Sequence, residues 1–537
     1  MSQLASPEQR KRPGIWLVIM PCLLLGLSYV GLALPWWWHQ ADLNPAPIGM
    51  MKMCGIFFAI GCWFALPIWF FGFTWVSRKI KAVVLLLALI VAGGLYANLD
   101  EVVLDAELRP HFYFSWDRRS DTAVADNSAV AESTDLPAID TRPDPLNDFP
   151  RYRGRQGDGI VRSTELLDRE WSQGPPRERW RRSCGGGFSG FAVAGNVAVT
   201  MEQRGEEEAV VCYDRDTGSQ RWVHAYPALF KDSTGNGPRS TPTLDKGDVF
   251  TLGATGELFC LDATTGKPKW GVNVLRDNAA KNIIWGLTGS PLIEEDLVIV
   301  NAGIDPDNNA GRSLVAYNRR DGKRIWGGGK NKAGYSSPII ATLAGRRQIL
   351  LFDAGGLAGF DPKSGEELWR YPWVTWQDMN IIQPLQVPED RLLISSELSN
   401  GCALIRIVRN GEKLSPEVVW ESKALAVRQV NPVILGRSIF GLHNGTFVCV
   451  DLETGQRRYR GKFYGQGQML AVGNSILVLS EQGDLALVAA DPKRFNEIRR
   501  IAVFPDRRTW NTPAMAGRQI FLRNDSEMAC YEWPLKE

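Results

Sequence analysis

The stretch Leu261-Asp262-Ala263-Thr264-Thr265-Gly266-Lys267-Pro268-Lys269-Trp270 decides the fold, because the chain keeps rewriting it. Copies occupy residues 213–222, 317–326, 360–369 and, ending on Tyr459, 450–459. The common form is an apolar residue, Asp or Asn, two variable residues, Thr, Ser or Asp, then Gly, three variable residues and an aromatic ring. Each part has a physical task. The apolar run before the Asp alternates as a half-buried strand does. The Asp side chain bonds backbone N–H groups two residues on and starts a turn. Gly supplies the positive φ of a short hairpin loop. The closing aromatic needs a neighbouring sheet to bury it. One such hairpin cannot bury both faces, so it must stack on others of its kind.

The aromatic anchors are Trp180, Trp222, Trp270, Trp326, Trp369, Trp420, Tyr459 and the weaker Phe504, spaced 39 to 56 residues apart. One four-stranded propeller blade takes roughly 40–50 residues. A second signal runs in register with the first. Units open on a polar residue followed by proline: Thr241-Pro242, Ser290-Pro291, Ser337-Pro338, Gln383-Pro384, Asn431-Pro432 and Thr512-Pro513. Proline lacks a ladder donor and suits the start of a strand, here the innermost one. Trp180 stands on a strand with no hairpin before it, and residues 519–533 supply inner strands with no outer strand after them. Joining the two completes a blade. The count is then eight blades, with seven as the alternative because the units at Trp420 and Phe504 are degenerate.

Over residues 149–537 this repeat resembles that of the quinoprotein-type propellers, which include pyrroloquinoline quinone (PQQ) dehydrogenases and the lipoprotein BamB. The resemblance implies an all-β propeller. It does not fix an activity, since the family has cofactor-free members and fold alone does not determine function. Adjacent cysteines, which clamp the quinone in many of its alcohol dehydrogenases, are missing here. The blades also leave little room for the inserted loops of those enzymes. The pattern is closest to a minimal, BamB-like propeller with no cofactor expected; PQQ with calcium belongs to the alternative reading.

Composition sets further bounds. The 537 residues carry a net charge of +2, from 61 basic and 59 acidic side chains. There is no long basic run, so no nucleic-acid partner is expected. The four His are scattered, and no zinc or haem signature appears. Gly185-Gly186-Gly187-Phe188-Ser189-Gly190 is not a G-x-S-x-G elbow, and no phosphate-binding loop is present. Among the nine cysteines, Cys212, Cys260, Cys449 and Cys530 hold equivalent positions and read as small core hydrophobes. Cys184 and Cys402 fall in or near loops, where a thiol could react.

The N-terminal part is of a different kind. Residues 15–34 are apolar and end at Trp36-Trp37-Trp38, suited to an interfacial belt. Residues 54–76 and 82–96 are two further apolar stretches. Positive charge at Arg10, Lys11 and Arg12, and again at Arg78, Lys79 and Lys81, gives a cytoplasmic terminus (1–14) by the positive-inside rule. Three transmembrane helices are expected within 15–98, inserted in the lipid bilayer of the inner membrane. A juxtamembrane segment and flexible linker follow over 99–148, and the propeller lies on the extracytoplasmic side.

Within each blade the Asp-x-x-x-Gly hairpin joins strands three and four on one face, hereafter the turn face. The other face carries the turns between strands two and three and the blade-to-blade crossings. Its irregular loops are the place for binding. The candidates there are Arg204, Arg239, Lys281, Trp285, Asp305, Asp307, Trp373, Trp376 and Asp378. The leading reading is a module that binds an envelope protein or ligand through this face. In the alternative, a membrane-bound PQQ dehydrogenase passing electrons to quinone, Arg239 or Lys281 would pair with the cofactor's carboxylates, and Trp285 or Trp373 would stack on its ring. The Asp305–Asn309 turn has oxygen ligands but not the spacing of a calcium loop.

Overall fold

The Asp of each repeat starts the turn the sequence calls for. In the computed structural model, Asp262 accepts the N–H groups of Thr264 (3.1 Å) and Thr265 (2.9 Å), and Gly266 donates back to the Asp262 carbonyl at 2.8 Å. Asp214 and Asp451 make the same bonds. The structure describes residues 77–104, 110–114 and 136–536, apart from 163–166, 169, 233, 398–399 and 506–507, together with isolated positions between 23 and 65.

From these hairpins the chain builds eight blades of four antiparallel strands, one of which gains a fifth strand. Blade 1 comprises Ala192–Ala194, Val197–Arg204, Glu207–Asp214 and Gln220–Pro227, inner strand to outer. Blades 2 to 7 repeat the order, ending with Gln468–Val472 to Glu497–Ala502. Blade 8 takes its three inner strands from Ala514–Ala516, Gln519–Arg523 and Glu527–Glu532, and its outer strand from Arg177–Ser183. Cys530 faces Trp180 across that ladder. The ring is therefore closed by both ends of the repeat region, and the count is eight.

The same bulge interrupts the ladder of strands three and four in every blade, one residue past the anchor pair. It follows Cys212 opposite Trp222, Cys260 opposite Trp270 and Cys530 opposite Trp180. In blade 7 the anchor position is Arg499, opposite Leu487, and not Phe504 as the spacing suggested; Phe504 lies beyond the strand and is buried.

Six of the aromatic anchors dock on the turn of the next blade. Trp180, Trp222 and Trp270 donate their indole N–H to the carbonyls of Arg215 (3.1 Å), Ala263 (2.9 Å) and Arg319 (2.8 Å). The ring lies on the turn glycine. A Cβ at Gly322 would stand 2.7 Å from Trp270 ring atoms, and φ is +69°. Blade 5 breaks the rule. Its outer hairpin, Gly401–Asn410 with Lys413–Ser422, replaces the short turn, and Trp369 bonds Gln348 in its own blade instead.

The polar residue before each proline links blades at the inner strands. Ser290 Oγ accepts from Thr241 N–H, and Ser337 Oγ from Ser290 N–H, both at 2.9 Å. Asn431 Oδ1 accepts from Gln383 N–H at 2.8 Å. These steps form part of a belt around the channel.

Two features depart from the sequence reading. Residues 136–148, expected to be linker, lie along blade 1, where Asp140 and Asn196 exchange two hydrogen bonds (2.8 and 3.0 Å). Residues 149–161 then form a strap across the inner strands. Phe149 pairs with Val193 of blade 1, and Ile160–Val161 adds a parallel strand to blade 7. Arg153 of the strap is buried, and its guanidinium donates to the carbonyls of Asp158 (2.7 Å) and Pro432 (3.0 Å).

The cysteines of the repeat are buried and free, as are Cys184 and Cys402. The expectation of reactive loop thiols is corrected: Cys402 has no exposed surface, and burial pushes its thiol up to about 12.

Among the described residues of the N-terminal unit one helix is long and apolar enough to cross a membrane, Arg78–Asn98, with 21 residues and mean hydropathy 2.3. That is about 30 Å of helix. It covers the third expected span; the first two, 15–34 and 54–76, lie outside the described residues. A two-stranded sheet, Leu99–Leu104 with Pro110–Phe114, follows.

Candidate functional site

The crossings are short of regular structure, so their side chains are set by local caps and by each other. In the crossing from blade 2 to blade 3, Asn273 caps a single helical turn, Val274–Asp277. The chain then turns at Gly286 (φ +70°), where an added Cβ would stand 3.2 Å from the Phe230 ring. Next to it, Trp285 stacks at 5.4 Å on Tyr335 from the following crossing. Tyr335 N–H donates to Asn380 O at 2.9 Å, and Lys332 pairs with Asp378. Gln377 and Asp378 have positive φ (52° and 59°), which turns Trp376 outward. Trp376 is 60% exposed, Val374 70% and Ile284 60%. The result is an apolar arc over the crossings that join blades 2 to 5.

A second arc continues from Phe230 across the closing blade. Arg239 lies over Phe230 (4.7 Å) and Phe188 (5.3 Å). Arg508 lies over Phe188 (5.5 Å) and Trp510 (4.3 Å). Trp510 N–H donates to Glu481 at 2.9 Å. Rings and guanidinium groups thus alternate across three successive crossings. Arg239 is nearly buried and paired with Asp232; burial pulls its pKa down, and that carboxylate opposes the shift. Behind it, Glu208 is fully buried and accepts from Tyr226 OH (2.8 Å) and Ala254 N–H (3.2 Å). Burial raises its pKa to about 7, against the pull of those two bonds.

Of the residues marked from the sequence, the mouth of the channel brings together Arg239, Trp285, Trp376 and Asp378. Lys281, Asp305 and Asp307 form a separate ion-paired group. Arg204 is held by Glu202 (3.0 Å) and Tyr213. Trp373 belongs to the core, 7% exposed with its N–H on Ser396. Sequence reasoning missed Phe188, Phe230, Arg508 and Trp510. The Phe188 loop was noted only as not being a nucleophile elbow, and nothing in the spacing ties residue 188 to 508.

A family model described as "Outer membrane protein assembly factor BamB" matches residues 206–460. The quinoprotein ethanol dehydrogenase of Pseudomonas aeruginosa is 26% identical over 223 residues, 35% of this chain and 34% of that protein. The Pseudomonas putida enzyme of the same name is also 26% identical, over 31% of this chain and 30% of its own length. The repeats resemble those of quinoprotein-type propellers. The chain spans about a third of the length of the curated relatives it matches. Among solved structures, the quinohemoprotein alcohol dehydrogenase of Comamonas testosteroni aligns with 78% of this chain and 86% of its own, at TM-score 0.52 and 12% identity, a likeness of fold.

Of the residues marked from the sequence for PQQ, three are already engaged. Arg239 is already paired and sandwiched, Lys281 is held by two carboxylates, and Trp373 has no free face. Among the described residues no three His, Cys, Asp or Glu side chains converge as an ion site. The cavity beside the strap, about 260 Å³ with its open space, is lined by Arg151, Tyr152, Ser290, Ser337 and Gln383 among others, with no carboxylate.

Proposed function

We propose that the chain is a membrane-anchored, extracytoplasmic binding module whose crossing face receives an envelope protein or ligand. The observation that carries this reading is the apolar arc at the channel mouth: Ile284, Val374 and Trp376 stand exposed on loops that ion pairs and hydrogen bonds hold in place. A family model named for outer-membrane protein assembly is consistent with it. The anchor has three spans within residues 15–98, with residues 1–14 cytoplasmic, 99–148 juxtamembrane segment and linker, and the propeller from 149 on the far side. The Arg78–Asn98 helix and the flanking positive charge support this topology. A reporter fused after residue 100 should be active only outside the cytoplasm.

The binding reading is tested by affinity capture of the full chain from detergent extracts. Recovery of a partner should fall with Trp376→Ala and Ile284→Ser, and should not change with Lys363→Glu on the turn face. Recovery indifferent to the crossing-face changes would reject it. The competing reading, a PQQ-dependent dehydrogenase passing electrons to quinone, draws support from the names of the curated relatives. It requires a cofactor site, and the two cations named for one from the sequence, Arg239 and Lys281, are engaged by carboxylates.

A further inference from the structure

The crossing face is not electrically uniform. Between the outer strand of one blade and the inner strand of the next, the crossings hold ten Lys and Arg against four Asp. The turns between strands two and three, set outside them on the same face, carry Glu206, Asp305, Asp307, Glu397 and Asp525 against Arg312, with Asp305 and Asp307 on Lys281 and Glu397 on Arg428; a sixth acid, Glu481, is buried. A basic inner zone is thus rimmed by acids. Within that zone several cations are already paired, as Arg239 is with Asp232 and Lys332 with Asp378. Lys231 and Lys330 are exposed and form no ion pair with a described residue. Lys231 follows Phe230, which lies against Gly286 beside Trp285. Lys330 stands on the crossing that also carries Tyr335. Lys231 and Lys330 therefore belong to crossings that build the apolar arc, as does Arg276, exposed and likewise without an ion pair to a described residue.

We propose that this arc receives an extended acidic segment of a partner protein, with its apolar side chains on Ile284, Trp285, Tyr335 and Trp376 and its carboxylates on Lys231 and Lys330. The proposal rests on the binding reading above and names the partner's chemistry. Charge complementarity selects the occupant. A narrow strand laid along the arc meets the basic zone alone. A flat anionic bilayer laid on the face would also meet the acidic rim, which repels it. A basic segment would be drawn to the rim and repelled from the arc.

The test places a photo-crosslinking amino acid at Ile284 or at Trp376 in the full chain, in its own membrane, and reads the captured segment by mass spectrometry. The expected result is one protein segment of net negative charge, reached from both positions. Lys231→Glu with Lys330→Glu should lower the yield from position 284 at least ten-fold without shifting the melting temperature, and raised salt should lower it too. Capture of a neutral or basic segment, or a yield indifferent to charge reversal, overturns the acidic assignment and leaves the binding reading standing. Lipid adducts alone, or no adduct at either position, overturn both.

Discussion

Trp270 and Gly322 show how much of the fold is decided side chain by side chain. The indole buries against a turn that only glycine can form, and its N–H satisfies a carbonyl of that turn. Gly322→Ala would force a residue with a Cβ into φ +69° and into the ring. We expect it to cost about 2–4 kcal/mol, read from urea denaturation of the detergent-solubilised chain. Glu208 makes a second prediction, in pH. Its folded pKa of about 7 lies above the ordinary 4.5, so its contribution to stability is fully present below pH 4.5 and is lost as pH rises to about 7. The size is at most about 3 kcal/mol. Glu208→Gln keeps an acceptor for Ala254 and a polar group for Tyr226, and should flatten melting temperature across that window. A variant with the wild-type slope would show that Glu208 ionises without penalty. The repeat cysteines were legible as core because they recur at one register. Cys184 and Cys402 were not, since burial there comes from strands distant in sequence.

At the scale of elements, hairpins, bulges and inner strands follow from local signals, because Asp-x-x-x-Gly and the X-Pro step act within a few residues. The strap does not. Residues 149–161 have neither period nor apolar alternation, and their partners lie on blades 1, 6 and 7. Arg153 reads as a surface charge until its carbonyl partners are known. Arg153→Ala leaves those carbonyls buried without a donor, and we expect a loss of about 2–4 kcal/mol. Limited proteolysis should then cut within 149–161 before any blade is cut; unchanged protection would mean that the strap is held by Phe149 and Ile160–Val161 alone. The crossing loops behave likewise. Their composition showed that they were irregular, but not that Phe188 and Arg508, far apart in the chain, would share one stack.

For the whole molecule, closure couples the two ends. Blade 8 has no outer strand without Arg177–Ser183, and an open ring would expose two unpaired edges. Deleting 519–537 should therefore collapse the propeller cooperatively, lowering one melting transition rather than adding a second. Survival of a separate transition for blades 1–6 would show that the ring is not one unit. The functional account depends on the same architecture. With the inner strands crossed by the strap and Arg239 and Lys281 already paired, the proposed role of the ring is to hold its crossing loops. Calorimetric titration of the purified full chain with PQQ in calcium, followed by a dye-reduction assay with alcohols and sugars, tests this most directly. The account expects no saturable binding and no substrate-dependent reduction; one PQQ bound per chain with alcohol-dependent dye reduction would contradict it.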